Sequence, residues 1–269
     1  MNAAWVPDHP LAWGLLALLG LSFGSFLNVV IARLPSGGSL LRPPSSCPEC
    51  GSRIAPYDNV PLVSYVLLRG RCRRCGSRIP LRYPVVEGLG AAAVLLAAAG
   101  SAGPLEAAVR AAFLLTMATI AWIDLDHRII PDEISLPGVA LGLLLCPLLG
   151  VSRLDGLIGA VAGAGSLLAV AQAYKLLRGI DGMGMGDVKL AAMMGAFLGW
   201  RGILLTLVLG SFVGALLGTV LLLSRRGDGR TALPYGTFLA PAAGLVLLVG
   251  PRIWSWYTDL LAGGAAGSW

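Results

Sequence analysis

Apolar runs of about 20 residues, recurring almost from end to end, constrain this chain more than anything else in its sequence. That length carries a helix across roughly 30 Å of hydrocarbon. Only 13% of the 269 residues are charged and the mean hydropathy is +0.78. A soluble domain carries about a quarter charged residues, so too few charges remain here to coat a water-facing surface. The expected fold is an all-α polytopic membrane protein of about eight transmembrane helices. One long polar interruption, Arg33 to Tyr83, is the only segment large enough for an extramembrane subdomain.

The first run, Leu11 to Ala32, is too long for the apolar core of a signal peptide. No Lys or Arg precedes it and Arg33 follows it, so it is expected to stay as a transmembrane helix. The other spans are expected at 84–102, 105–123, 133–150, 154–176, 186–200, 202–224 and 233–253, the 186–200 span being short. The chain thus divides into a first helix (1–32), a polar loop (33–83) and a seven-helix membrane domain (84–269). Ser22, Ser25 and Asn28 fall three residues apart, a polar stripe expected to face other helices. Gly210, Gly214 and Gly218 form a small-residue ridge, expected to serve helix packing. The chain reads without internal repeats.

Charge sets the orientation. With the N-terminus outside, sixteen of the twenty Lys and Arg residues lie on the cytoplasmic side, leaving Arg110, Arg153, Arg201 and Arg252 opposite. That asymmetry accounts for the pI near 9.4 without a nucleic-acid partner. The lipid bilayer is the expected partner.

Four of the five cysteines stand as two pairs in the polar loop, "CPEC" (Cys47, Cys50) and "CRRC" (Cys72, Cys75). Twenty-one residues separate the pairs, close to the spacing of a four-thiolate zinc ribbon. Gly51 and Gly76 follow the pairs and ease the tight knuckle each C-x-x-C turn needs. Redox dithiols and disulfides are the alternatives, and disulfides fit poorly in a loop facing the reducing cytoplasm. A closed structural zinc site would fold a loop with little apolar core of its own. Cys146, alone in an apolar span, is expected to be a small core residue.

Carboxylates within or beside membrane spans are costly and each needs a reason. One group lies in "AWIDLDHRIIPDEISL", with Asp124, Asp126, Asp132 and Glu133; the other is Asp187, with Asp181 a turn earlier. Sixty-three residues from Asp124 to Asp187 allow two crossings, which return the chain to the same membrane face. Two aspartates brought together there can share one proton. The ionised member then takes a proton from water while the protonated one polarises a peptide carbonyl. Gly184 and Gly186 would let a substrate backbone approach Asp187 with no Cβ in the way. Other readings remain open. Asp132 is well placed to cap the helix after Pro131, and Asp126 would point away from Asp124, solvated or bonded to a loop. Asp187 could complement a helix N-terminus, or both boundary aspartates could serve an ion-coupled transporter.

The motifs together resemble the bacterial type IV prepilin peptidases, which are bifunctional leader peptidases and N-methyltransferases. The resemblance rests on "GSFLNVVIARLP", "CPEC", "YDNVPLVSYVLLRGRCRRCGSRIPLRYPVVE", "IDLDHRIIPDEISLPG" and "GMGMGDVKL". It implies an aspartic-type protease of the plasma membrane that removes the basic leader of prepilins and pseudopilins, serving pili or secretion. It implies that Asp124 and Asp187 match the catalytic pair, and that 84–269 is the peptidase domain. It further implies methyl transfer from S-adenosylmethionine to the new N-terminal residue, with the first helix and cysteine loop linked to that step. Thr237, in "LPYGTFLAP", stands where many members carry proline. No soluble-type G-x-G-x-x-G stretch is present, so no residue is assigned to the methyl donor.

Overall fold

The computed structural model describes residues 9–180, 182–224 and 234–266, with side chains to residue 260. Asp181 and the loop arginines Arg225, Arg226 and Arg230 lie outside the described residues. Among the described residues the chain is helical throughout, with isolated bridges but no strand. Seven helices are long and apolar enough to cross a membrane. They fall into two compact units, Met1–Ile129 and Ile130–Trp269.

The first unit holds α1 (Pro10–Arg33), the short α2 (Val63–Leu67), α3 (Arg82–Ala99) and α4 (Pro104–His127). Pro10 and Pro104 each occupy the first turn, where the missing N–H would have had no partner. α1 and α3 run antiparallel at very close range. A Cβ added at Gly24 would collide with the Glu87 backbone, and one at Gly20 with that of Ala91. The Asn28 amide donates to the Tyr83 carbonyl at 3.2 Å. Two members of the expected polar stripe do turn to α3, Ser25 hydrogen-bonding Glu87 and Asn28 bonding Tyr83, and they share that inward face with Gly20, Gly24 and Ile31. Ser22 is exposed and donates to Leu18 of its own helix, because a hydroxyl can be satisfied by the carbonyl one turn back.

In the second unit lie α5 (Asp132–Leu145), α6 (Arg153–Arg178), α7 (Met185–Leu223) and α8 (Gly236–Ala266). Gly199 interrupts α7 with non-helical torsions, φ 69° and ψ 180°. A Cβ added at Gly163 of α6 would collide with both Ala191 and Ile203. Twelve residues of straight helix would hold those two about 18 Å apart, so the chain doubles back at Gly199. The break falls where the sequence separates its 186–200 and 202–224 spans, and with it the seven long helices supply eight apolar segments. α6 lies against both arms, Gly159 meeting Gly195 and Gly199 backbone to backbone. Gly210 and Gly214 pack on Leu239 and Phe238 of α8, the packing role expected of that ridge. Cys146 is fully buried, as expected of a small core residue.

Candidate functional site

Between α1 and α3 the polar loop folds into two knuckles. In the first, the Gly51 N–H donates to the Cys47 carbonyl and the Cys47 N–H to that of Ser52. In the second, Gly76 and Cys72 make the same two bonds, to Cys72 and Ser77. Gly51 and Gly76 sit at φ 68° and 73°, left-handed conformations that glycine adopts without strain. The pairing Ser46–Arg53 across one knuckle is matched by Arg71–Arg78 across the other. This symmetry is written in the chain: "CPECGSRI" at 47–54 and "CRRCGSRI" at 72–79 agree at six of eight positions, differing only at the two residues between the cysteines. A reading confined to cysteine spacing overlooks that repeat.

The four sulfurs lie within 4.8 Å of one another, with Cys47 and Cys75 3.9 Å apart. A tetrahedron with metal–sulfur bonds of about 2.3 Å has edges of about 3.8 Å, so the donor set fits one metal ion. None of the four cysteines is in a disulfide. The Cys47 thiol is lowered to about 6, chiefly by the backbone N–H of Cys50 and then that of Glu49, with the Ser77 hydroxyl adding to them. A thiol that ionises readily is what a metal ligand requires. Ser52 and Ser77 place hydroxyls 2.9 Å and 3.1 Å from the sulfurs of Cys50 and Cys75. Beside the knuckles, Asp58 accepts two hydrogen bonds from Arg73 at 2.7 Å and 2.8 Å, which hold its carboxyl below the usual carboxylate range.

Asp124 lies in the last turn of α4 and is 5% exposed. The helix runs on to His127 and ends with Arg128 in the left-handed region, its N–H returning to the Asp124 carbonyl. Asp126 is neither simply solvated nor loop-bonded. It forms an ion pair with Arg82 in the first turn of α3, which brings the C-terminal end of α4 beside the end of the loop.

Asp187 occupies the first turn of α7, three residues after Gly184 at the cap position. There a carboxylate complements the positive end of the helix. A Cβ added at Gly184 would stand 3.8 Å from Asp187 Oδ2, whereas one at Gly186 would press on Ile130 at 3.1 Å. Gly186 thus also answers to packing within the chain. Asp132 does not cap α5. Pro131 holds the cap position in extended geometry, and Asp132 accepts two hydrogen bonds from Lys189 Nζ at 2.7 Å and 2.8 Å. A half-exposed cap carboxylate satisfies only a backbone N–H, whereas Lys189, two residues past Asp187, offers it a full opposite charge.

Two further residues escape a reading of the sequence. Glu87, buried in α3, accepts the Leu62 N–H at 2.8 Å and so fastens the loop to the helix. The signal is there to be read, since Glu87 is an acidic residue inside an apolar span. Tyr235, just before α8, is 2.8 Å from the Ser211 hydroxyl and within electrostatic range of Asp187. Nothing in the sequence around Tyr235 marks it.

A multi-pass membrane protein with a four-thiol metal-binding loop and acidic groups at its helix ends is the class this fold defines. A profile described as "Type IV leader peptidase family" matches residues 111–219, and one described as "Bacterial Peptidase A24 N-terminal domain" matches 18–100. A prepilin leader peptidase/N-methyltransferase of Pseudomonas aeruginosa is 40% identical over 93% of this chain and 94% of its own length. One from Aeromonas hydrophila is 41% identical over 93% and 96%. One from Myxococcus xanthus is 42% identical over 80% of this chain and 64% of its own length. The chain belongs to the type IV leader peptidase family. No solved structure matches it. The transporter reading finds no support among these relatives.

Proposed function

We propose that this chain cleaves the leader from type IV prepilins and pseudopilins with Asp124 and Asp187, and then methylates the new N-terminus with S-adenosylmethionine. The observation that carries the reading is the likeness, at 40% identity over 93% of the chain, to a prepilin leader peptidase/N-methyltransferase. Both aspartates fall inside the matched peptidase segment. One carboxylate, ionised, activates a water; the other, protonated, polarises the scissile carbonyl. Gly184 leaves space beside Asp187 for a substrate backbone. Residues 84–269 carry the peptidase; the first helix and the loop 33–83 serve methyl transfer.

The membrane is the bacterial plasma membrane, with the N-terminus outside and the cysteine loop and both aspartates on the cytoplasmic side. The distribution of Lys and Arg supports this orientation. Within the first unit, the antiparallel α1 and α3 and the Arg82–Asp126 pair bring the loop and the Asp124 end of α4 to one end. Incubating the purified protein with a prepilin, with and without S-adenosylmethionine, tests the function. A shortened pilin should appear in both reactions, and a methylated one only with the donor; an uncut precursor in both overturns it.

The metal is zinc, held by Cys47, Cys50, Cys72 and Cys75 as a structural ion. The purified protein should carry about one zinc per chain. Replacing Cys47 and Cys50 by serine should remove it and open the Arg33–Tyr83 loop to protease. Elemental analysis finding iron, or no metal in protein prepared without chelators, overturns the assignment.

A further inference from the structure

The two knuckles are copies in sequence and geometry, so their differences stand out. Arg53 and Arg78 occupy the same position in each copy. Arg69 and Arg71 of the second have Pro44 and Ser46 as counterparts in the first. Arg71 therefore faces Arg78 directly across an antiparallel bridge, where Ser46 faces Arg53 in the first knuckle. Like charges directly opposite are destabilising. Neutralising four thiolates does not explain the excess, because the first knuckle lends the same metal site two thiolates with no such pair.

Arg69, Arg71 and Arg78, with Tyr65, Ile79 and Leu81, line a cleft of about 550 Å³. No carboxylate lines it. Among the described residues none of the three arginines has an ion-pair partner. Two acids that meet the loop are engaged elsewhere, Asp58 by Arg73 and Glu87 by the Leu62 N–H. Arg69 itself sits at φ 53°, a left-handed conformation that is strained for a residue with a long side chain. Such strain concentrates at functional positions.

The cleft adjoins exposed apolar surface. Leu81 at its edge immediately precedes α3, and Leu81, Val85 and Leu89 are 70%, 47% and 43% exposed. At four-residue intervals they form one apolar stripe running down the helix from the cleft. Val66 and Leu67 of α2 add exposed apolar surface beside it. Three unpaired guanidinium groups continuous with an apolar stripe match a phosphate headgroup and its acyl chain. We propose that this cleft is a binding site for an anionic phospholipid of the surrounding membrane, held by Arg69, Arg71 and Arg78 with its chain along α3.

The test titrates full-length protein in mild detergent with a fluorescent short-chain phosphatidylglycerol. Arg71→Gln/Arg78→Gln should weaken binding by about tenfold or more, since each charge-assisted contact contributes about a factor of ten. Arg71→Lys/Arg78→Lys should keep most of it, and Arg53→Gln on the first knuckle should change nothing. Equal loss in Arg53→Gln would mean a diffuse positive field and overturn the site. So would displacement of the lipid by an equal concentration of inorganic phosphate, or equally tight binding of phosphatidylcholine. Should the double variant lose its metal, Leu81→Ser/Val85→Ser, which alters no charge, carries the test. Wild-type affinity in that variant overturns the proposal.

Discussion

Asp124→Asn or Asp187→Asn should abolish leader cleavage while the protein still inserts and folds with its cysteine cluster intact. The amide keeps the size and shape of the side chain but can neither accept the proton of an attacking water nor donate an acidic one to a carbonyl. In a pair that shares one proton, loss of either member removes both functions, so each single variant should approach the inactivity of the double. The expected fall is at least about a thousandfold, the scale seen when a group acting in the transition state is removed. Lys189 and Asp132 provide the contrast. Their pair is 32% and 52% exposed, and a bridge of that kind contributes about 0.2–1 kcal/mol. Asp132→Asn should therefore leave most cleavage in place. Prepilin incubation followed by mass determination reads all of these variants, and substantial cleavage by either Asp124→Asn or Asp187→Asn removes the dyad.

The second large effect is a separation of chemistries. Methyl transfer needs a free α-amine, which an uncut precursor hides in a peptide bond. The aspartate variants should thus methylate no precursor, yet methylate at wild-type rate a supplied peptide that already begins at the mature residue. With an α-amino pKa near 8, about a tenth of such peptide is neutral at pH 7, so only a modest shift is needed for attack. Replacing Cys47 and Cys50 should give the reverse pattern, with cleavage retained and transfer to the peptide lost. Transfer of a labelled methyl group is the measurement. If Asp187→Asn loses transfer to the mature peptide while folded and metal-loaded, the two reactions share the dyad and the division is wrong.

Much of the architecture was legible because membrane insertion leaves the chain few options. Apolar runs placed most helices to within a few residues, although α8 runs on to Ala266, past the expected end at 253, and the division between 200 and 202 anticipated the reversal at Gly199. What periodicity does not carry is which face of a helix meets another. Ser25 and Asn28 mark the face of α1 that meets α3, yet Gly20 and Gly24 set how closely the helices pack, because close backbone approach selects for the missing side chain and leaves no polar trace. The cysteine spacing anticipated a four-sulfur cluster, and the sulfurs do converge. Long-range charge pairs were harder. Asp132 reads as a cap because Pro131 precedes it, and only the fold brings Lys189, 57 residues away, to its carboxylate. Glu87 was legible in principle, and Tyr235 was not, since its neighbourhood exists only once α7 and α8 have packed.

The backbone-to-backbone seam between α1 and α3 also governs the order in which the chain can assemble. Residues 34–81 leave the bilayer and return to it, and the Asn28–Tyr83 hydrogen bond fastens the exit to the re-entry. Once the two helices are seated, the excursion is already a closed ring, and the knuckles sit on a tether half as long as the whole. Closing a loop depends only logarithmically on its length, about 0.6 kcal/mol per doubling. Seating the helices therefore eases the metal's task modestly in energy but decisively in topology. A metal ion bound there would fasten two octapeptides on a ring that the seam between α1 and α3 closes. Stripping the metal should then undo the knuckles and leave the seam intact, so that the same ring can be reloaded without the chain leaving the bilayer.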